Sequence, residues 1–230
     1  MTPQILRAKD RTPAPWKNGG GVTSQVAADP QGAGTDDFVW RVSLADVASS
    51  GPFSAFPGVD RIITVVGGPG MALTVDGVPH VIDAPYEPFA FSGDAVTECR
   101  LLDGPIVDFN VMVRRAGMTA RVRVVRSDTS VRAAAGTRVL AIVLDGSAEL
   151  QQASVRLGRL DAVLLPEGDG DSFGVEGVLA IVDLVDLVAG PATDRARVHA
   201  PGSNSFQFPS ETTSTPPSPV TLMAVRASMA

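Results

Sequence analysis

The sequence predicts an all-β fold, with two small barrels or jelly rolls in one chain. Three observations carry this. Short runs alternate apolar and polar side chains, the period of a strand with one buried face. Turn-forming residues separate these runs, with 23 Gly and 18 Pro in the chain, and helix-favouring stretches are few. An order of strand, tight turn, strand, extended piece, Gly-Asp turn and strand occurs twice, which points to a duplicated β-unit. Closing such sheets removes exposed edges, and a closed sheet of this size can hold one small ligand at its mouth.

Residues 4–7 suit a short first strand, broken by residues 12–15. Pro15-Trp16-Lys17-Asn18-Gly19-Gly20-Gly21 then sets an aromatic, a cation and an amide directly before three glycines. Consecutive glycines weaken regular structure but permit positive φ and close backbone approach. With Trp16 as a wall and Lys17 as a charge, the stretch suits the rim of a small-molecule pocket; equally, it suits a loop between two strands. Residues 23–28 alternate and form a strand, and 29–37 form a loop. Residues 38–45 alternate cleanly, with Phe38, Trp40, Val42 and Leu44 on one face and Val39, Arg41, Ser43 and Ala45 on the other. On an outer strand the second face meets water. Inside a barrel, a buried Arg41 needs an anion.

A turn-rich passage, 46–57, precedes a strand at 62–66. Gly67-Gly68-Pro69-Gly70 turns the chain into a strand at 71–75, and Asp76-Gly77 suits a type I′ hairpin turn to 78–82. Proline-broken pieces at 85–94 lead to strands at 97–102 and 108–113, the latter with Asp108, Asn110 and Met112 on one face. In the second half, strands fall at 121–126, 139–144, 147–150, 160–165 and 179–184. Asp145-Gly146 is expected as a tight turn matching Gly67-Gly68, and Pro166-Glu167-Gly168-Asp169 matches Phe91-Ser92-Gly93-Asp94. The expected division is a first barrel at 1–118 bearing the pocket, a second at 119–190, and a Pro/Ser/Thr-rich mobile tail at 191–230. Phe206 and Phe208 are candidates to pin that tail.

The net charge of −6 argues against nucleic-acid and anionic-membrane partners. Cys99 is the only cysteine, so no disulfide forms within the chain, as suits a reducing cytoplasm. Residues 1–15 lack the apolar core of a signal peptide, and the run 178–189 is too short to span a bilayer. The expected location is cytoplasmic. Two histidines, His80 and His199, do not make a metal site, so no metal and no cofactor is expected. Cys99 lies in an alternating strand and suits the core. No helix follows Gly67-Gly68-Pro69-Gly70 to make a phosphate site. What remains is a polar set in the first half. With only two lysines in the chain, Lys9 and Lys17, Lys17 beside Trp16 stands out. Arg and Lys in an apolar cavity favour a carboxylate; salt bridges from Arg41 or Arg61 to Asp46, Asp60 or Asp108 would instead tie strands together.

These stretches together resemble the HutD/Ves family. The pattern comprises Pro15-Trp16-Lys17-Asn18-Gly19-Gly20-Gly21, Trp40-Arg41-Val42-Ser43-Leu44-Ala45 and the run from Gly51 through Phe53, Phe56 and Pro57 to Arg61. It continues with Pro88-Phe89-Ala90-Phe91-Ser92-Gly93-Asp94, Leu102-Asp103-Gly104-Pro105 and Asp108-Phe109-Asn110-Val111-Met112. The likeness covers residues 3–118 by motif and the second half by layout. It implies a bicupin, two cupin-like barrels in one chain, without the His-x-His of metal-binding cupins. It also implies that the chain binds an anionic intermediate of histidine degradation, such as N-formylglutamate, and moderates histidine utilisation. The ligand-binding residues it implies are Trp16, Lys17, Asn18, Arg41, Ser43, Asp60, Arg61 and Asn110, with no catalytic residue assigned.

Binding without turnover is thus the leading expectation. The alternative is a metal-independent cupin enzyme of isomerase or epimerase type, with Asp60 or Asp108 as base and Lys17 as acid. A third is an interaction module with a vestigial pocket. The expected partner is a small anionic carboxylate metabolite, with a homodimer left open.

Overall fold

The computed structural model describes residues 3–16 and 19–187. Lys17, Asn18 and the expected tail, with His199, Phe206 and Phe208, lie outside the described residues.

The chain opens with β1 (Gln4–Leu6) and a short 3₁₀ turn. It continues with β2 (Pro13–Pro15), β3 (Gly21–Asp29), β4 (Trp40–Val47), β5 (Gly51–Pro52), β6 (Val59–Gly67), β7 (Met71–Val75), β8 (Val78–Ile82), β9 (Pro88–Ser92), β10 (Thr97–Leu101) and β11 (Ile106–Arg114). The second half holds β12 (Met118–Val125), β13 (Thr129–Arg132), β14 (Thr137–Leu150), β15 (Val155–Leu157), β16 (Ala162–Leu165) and β17 (Gly170–Asp186). The first half makes two sheets, ordered β2-β3-β4-β11-β6-β9 and β5-β10-β7-β8. The second makes one sheet through β16-β14-β17-β12, with β13 on β17 and β15 on β14. β1 adds to β16, pairing Gln4 with Leu164, so the start of the chain is stitched to the second half. All pairings are antiparallel. The fold is all-β as expected; the sheets, however, are open rather than closed barrels, because their outer strands do not pair with each other.

The duplication is visible pair by pair. The contacts β4–β11, β6–β11, β6–β9, β5–β10, β7–β10 and β7–β8 recur as β12–β17, β14–β17, β14–β16, β13–β17, β14–β17 and β14–β15. Even a bulge recurs. Val66 is skipped where Asp108 pairs with Val65 and Val107 with Gly67. Leu144 is skipped where Leu179 pairs with Val143 and Val178 with Asp145. The expected match of Gly67-Gly68 to Asp145-Gly146 therefore holds in position but not in shape. Asp145-Gly146 is no tight turn, because β14 runs straight through it. Gly146, at φ +73°, faces Gly177, at φ +132°, and a Cβ on either would strike the opposite backbone. Two facing glycines let both long strands bend together without breaking their ladder.

Strand alternation sorts side chains into three interiors. Trp40, Val42, Leu44, Phe109 and Val111 meet Leu140, Ile142, Ala180 and Val182 in a core between the halves. Ile63, Val65, Met71, Leu73 and Ile106 fill one end of the first half. Val139, Ala141, Leu150, Phe173, Leu179 and Ile181 fill the second. Phe38 departs from its expected face. It precedes β4 and packs with Ala33, Val59 and Met112. Cys99 is buried in the first-half core.

Candidate functional site

The first half is filled at one end only. At its other end lies a cavity of about 490 Å³, lined by Trp16, Arg41, Ser43, Arg61, Asp108 and Asn110 together with Thr23, Phe53, Phe56 and Met112. The strand period explains why. On β4 the even-numbered apolar residues turn to the other half, so Arg41, Ser43 and Ala45 turn inward. On β11, Asp108, Asn110 and Met112 do the same.

Register fixes the cations. Met112 pairs with Arg41 on one side and with Arg61 on the other. The two arginines thus stand on one level, two strand spacings apart, roughly 10 Å between backbones. One level along, Asn110 pairs with Ser43 and Ile63. Trp16 forms the rim: its indole N–H donates to Thr23 Oγ1 at 2.7 Å. Gly19, at φ +71°, turns the chain, and Gly21 lies against the Trp16 ring where a side chain would not fit.

Arg61 is 7% exposed. Its guanidinium lies 5.4 Å from the Phe53 and Phe56 ring centres and 4.9 Å from that of Phe91. Nη2 donates to Asn110 Oδ1 at 3.2 Å, Nη1 donates to the Ser54 carbonyl at 3.4 Å, and Nε has no partner among the described residues. Burial lowers its pKa to about 10, with the nearby Asp108 charge opposing; it remains a cation at neutral pH. Arg41 donates from Nε to Gln25 Oε1 at 3.0 Å, and burial lowers its pKa as well. Asp108 is 1% exposed. Asn110 Nδ2 donates to its Oδ1, and no described cation lies within salt-bridge distance of it. Burial raises its pKa to about 7, with Arg61 opposing and Asp46 adding to the rise. The cavity therefore holds two guanidinium charges against one carboxyl poised to be neutral.

Of the residues implied by resemblance, Trp16, Arg41, Ser43, Arg61 and Asn110 line the cavity. Lys17 and Asn18 lie outside the described residues. Asp60 is not among the lining residues; it accepts from Arg115 Nε at 2.8 Å. The same Arg115 bonds Asp94 and the Val59 carbonyl, so Asp60 belongs to a clamp on the loop behind the cavity. Asp108 was not in the set. Its shared face with Asn110 was the signal, since alternate residues of one strand enter one interior. Phe53 and Phe56 fall in a passage that composition marks as turns and the resemblance marks as motif, with no site role given to either.

Comparing the halves isolates the site. By register, Arg61, Asp108 and Asn110 correspond to Val139, Leu179 and Ile181, which are fully packed. The same scaffold holds an apolar core in one half and a charged hollow in the other.

A family model described as HutD matches residues 8–181. The chain belongs to the HutD family. A relative from Pseudomonas putida, an uncharacterized 21.2 kDa protein in the hutC 3′ region, is 40% identical over 79% of this chain and 97% of its own length. Protein Ves from Citrobacter koseri is 41% identical over 47% of this chain and 56% of its own. The solved structure of HutD from Pseudomonas fluorescens SBW25, in a formate condition, aligns over 80% of this chain and 99% of that one, with TM-score 0.72 and 36% identity. The bacterial pirin YhhW of Escherichia coli shares the cupin-like all-β fold alone, with TM-score 0.58, 11% identity, and coverage of 80% and 99%. HutD membership and the hutC neighbourhood of a relative point to a role in histidine utilisation. Among the described residues no group of three or more His, Cys, Asp or Glu could hold a metal ion. No described helix is long and apolar enough to cross a membrane.

Proposed function

We propose that the chain binds a small anionic carboxylate, an N-formylglutamate-like intermediate of histidine degradation, and so moderates histidine utilisation. In this reading the halves are the two units of a bicupin, and only the first receives ligand. One observation carries it: Arg61 is a buried cation that lines the cavity with an unpartnered N–H. A buried charge is costly unless it is paired, and a carboxylate is the planar anion a guanidinium matches. Arg41, on the same strand level, supports a ligand with two acidic groups. The test is calorimetry with N-formyl-L-glutamate. Wild type is expected to bind, and Arg61→Met, which keeps bulk among the phenylalanines, should lose at least about tenfold in affinity, the effect of one charge-assisted contact. Equal affinity in both proteins would remove Arg61 from the site.

A second reading, a metal-independent isomerase or epimerase, draws on Asp108, a carboxyl poised near neutrality beside two cations. It requires exchange of a substrate carbon-bound proton with solvent. Loss of the α-proton signal of N-formylglutamate in D₂O with wild type, and not with Asp108→Asn, would favour it.

A further inference from the structure

Asp108 has no role in a cavity that only neutralises an anion, since its negative charge would repel one. Its placement is nonetheless specific. It shares the inward face of β11 with Asn110, and the Asn110 amide joins it to Arg61, accepting from the guanidinium and donating to Asp108 Oδ1. The second carboxyl oxygen has no hydrogen-bond partner among the described residues. The packed half places Leu179 at this position, so the scaffold does not need an acid there.

We propose that Asp108 takes up one proton from solvent as a carboxylate ligand enters, and that the resulting neutral acid donates its O–H to a second acceptor group of that ligand. This rests on the carboxylate-binding reading and deepens it: the ligand class becomes a small acid with a further acceptor, such as an amide or a second carboxylate. The charge balance is simple. One anion enters, one proton joins Asp108, and the cavity keeps its two guanidinium charges. Of the charged and titratable groups on the strands around Asp108, those that act on it are Arg61 of β6, Asp46 of β4 and Cys99 of β10, and Arg41 of β4 lines the same cavity. Burial raises the Cys99 pKa to about 11, and Arg61 stays charged well above neutrality. Asp108 is then the group that changes state between pH 6 and 9. An entering anion disfavours the Asp108 carboxylate further and extends the neutral form upward in pH.

The experiment is calorimetry with N-formyl-L-glutamate from pH 6 to 9, in buffers of low and high ionisation enthalpy. The carboxyls of this compound stay ionised throughout. Wild type should take up close to one proton per ligand near pH 8, and its affinity should fall above pH 7 by up to about tenfold per pH unit. Asp108→Asn should take up none, and its affinity should not vary with pH. As a check free of mutation, the side-chain ¹³C resonance of Asp108 should titrate at higher pH with ligand than without. Wild-type binding with no proton uptake and no pH dependence would overturn the proton coupling and leave carboxylate binding standing. Uptake that persists in Asp108→Asn would overturn the assignment to Asp108. Failure of wild type to bind this compound at any pH would overturn the parent reading, and the coupling with it.

Discussion

Asp108 and Arg61 form an unequal pair. Each is buried, and each is shifted towards its neutral form by that burial, with the other's charge only partly opposing. The stability consequence has a definite sign. The folded Asp108 pKa, about 7, lies above the ordinary carboxylate value. Between those limits the folded state binds more protons than the unfolded one, so its contribution is present at low pH and is lost as pH rises towards 7. Asp108→Asn keeps the acceptor for Asn110 and cannot ionise. It should melt higher than wild type at pH 8, with the gap narrowing at pH 5, as differential scanning fluorimetry would show. At this scale the sequence was informative where a residue's face follows from strand parity, as for Arg41, Ser43 and Asn110. It could not separate Asp60 from Arg61: adjacent residues point to opposite faces, and parity does not say which of the two faces holds the hollow. The aromatic cage around the Arg61 guanidinium was hidden too, because Phe91 of β9 and the Phe53–Phe56 passage are brought together only by the fold.

At the scale of elements, β14 and β17 explain the main misreading. Asp-Gly between two apolar runs is the pattern of a hairpin turn. Here Asp145-Gly146 is a bend shared with Gly177, because the seventeen-residue β17 runs alongside from Phe173 to Val185 and offers a continuous partner. Gly146→Ala would set a side chain into the Glu176 carbonyl at positive φ. It should cost at least about 1–2 kcal/mol from conformation alone, read as a lower urea midpoint. The first half solves the same geometry by breaking the strands at Gly67-Gly68-Pro69-Gly70 and before β11. Apart from β2 and β5, which fall in stretches read as a break and as turns, the strands of the first half were legible to within a few residues, since period and turn chemistry agree there.

For the whole molecule, the layer between the halves decides cohesion. Phe109 is fully buried there, among side chains from both duplicated units. Phe109→Ala should destabilise by about 3–5 kcal/mol. Because the layer is common to both units, the variant should still unfold in one transition, with tryptophan fluorescence and far-UV circular dichroism coinciding. Two separated transitions would mean that the halves stand independently. The duplicated order was readable from turn spacing, but not the joining of β1 to β16. A three-residue strand carries no mark of a partner so far along the chain; Arg7 meets Asp161 across 154 positions.

That long stitch has a cost during synthesis. β1 is made long before its partner, and until the two meet the apolar Ala162–Leu165 border stands uncovered. A protein trimmed of its first seven residues would keep every residue that lines the hollow and yet present a bare strand border on which copies can pair.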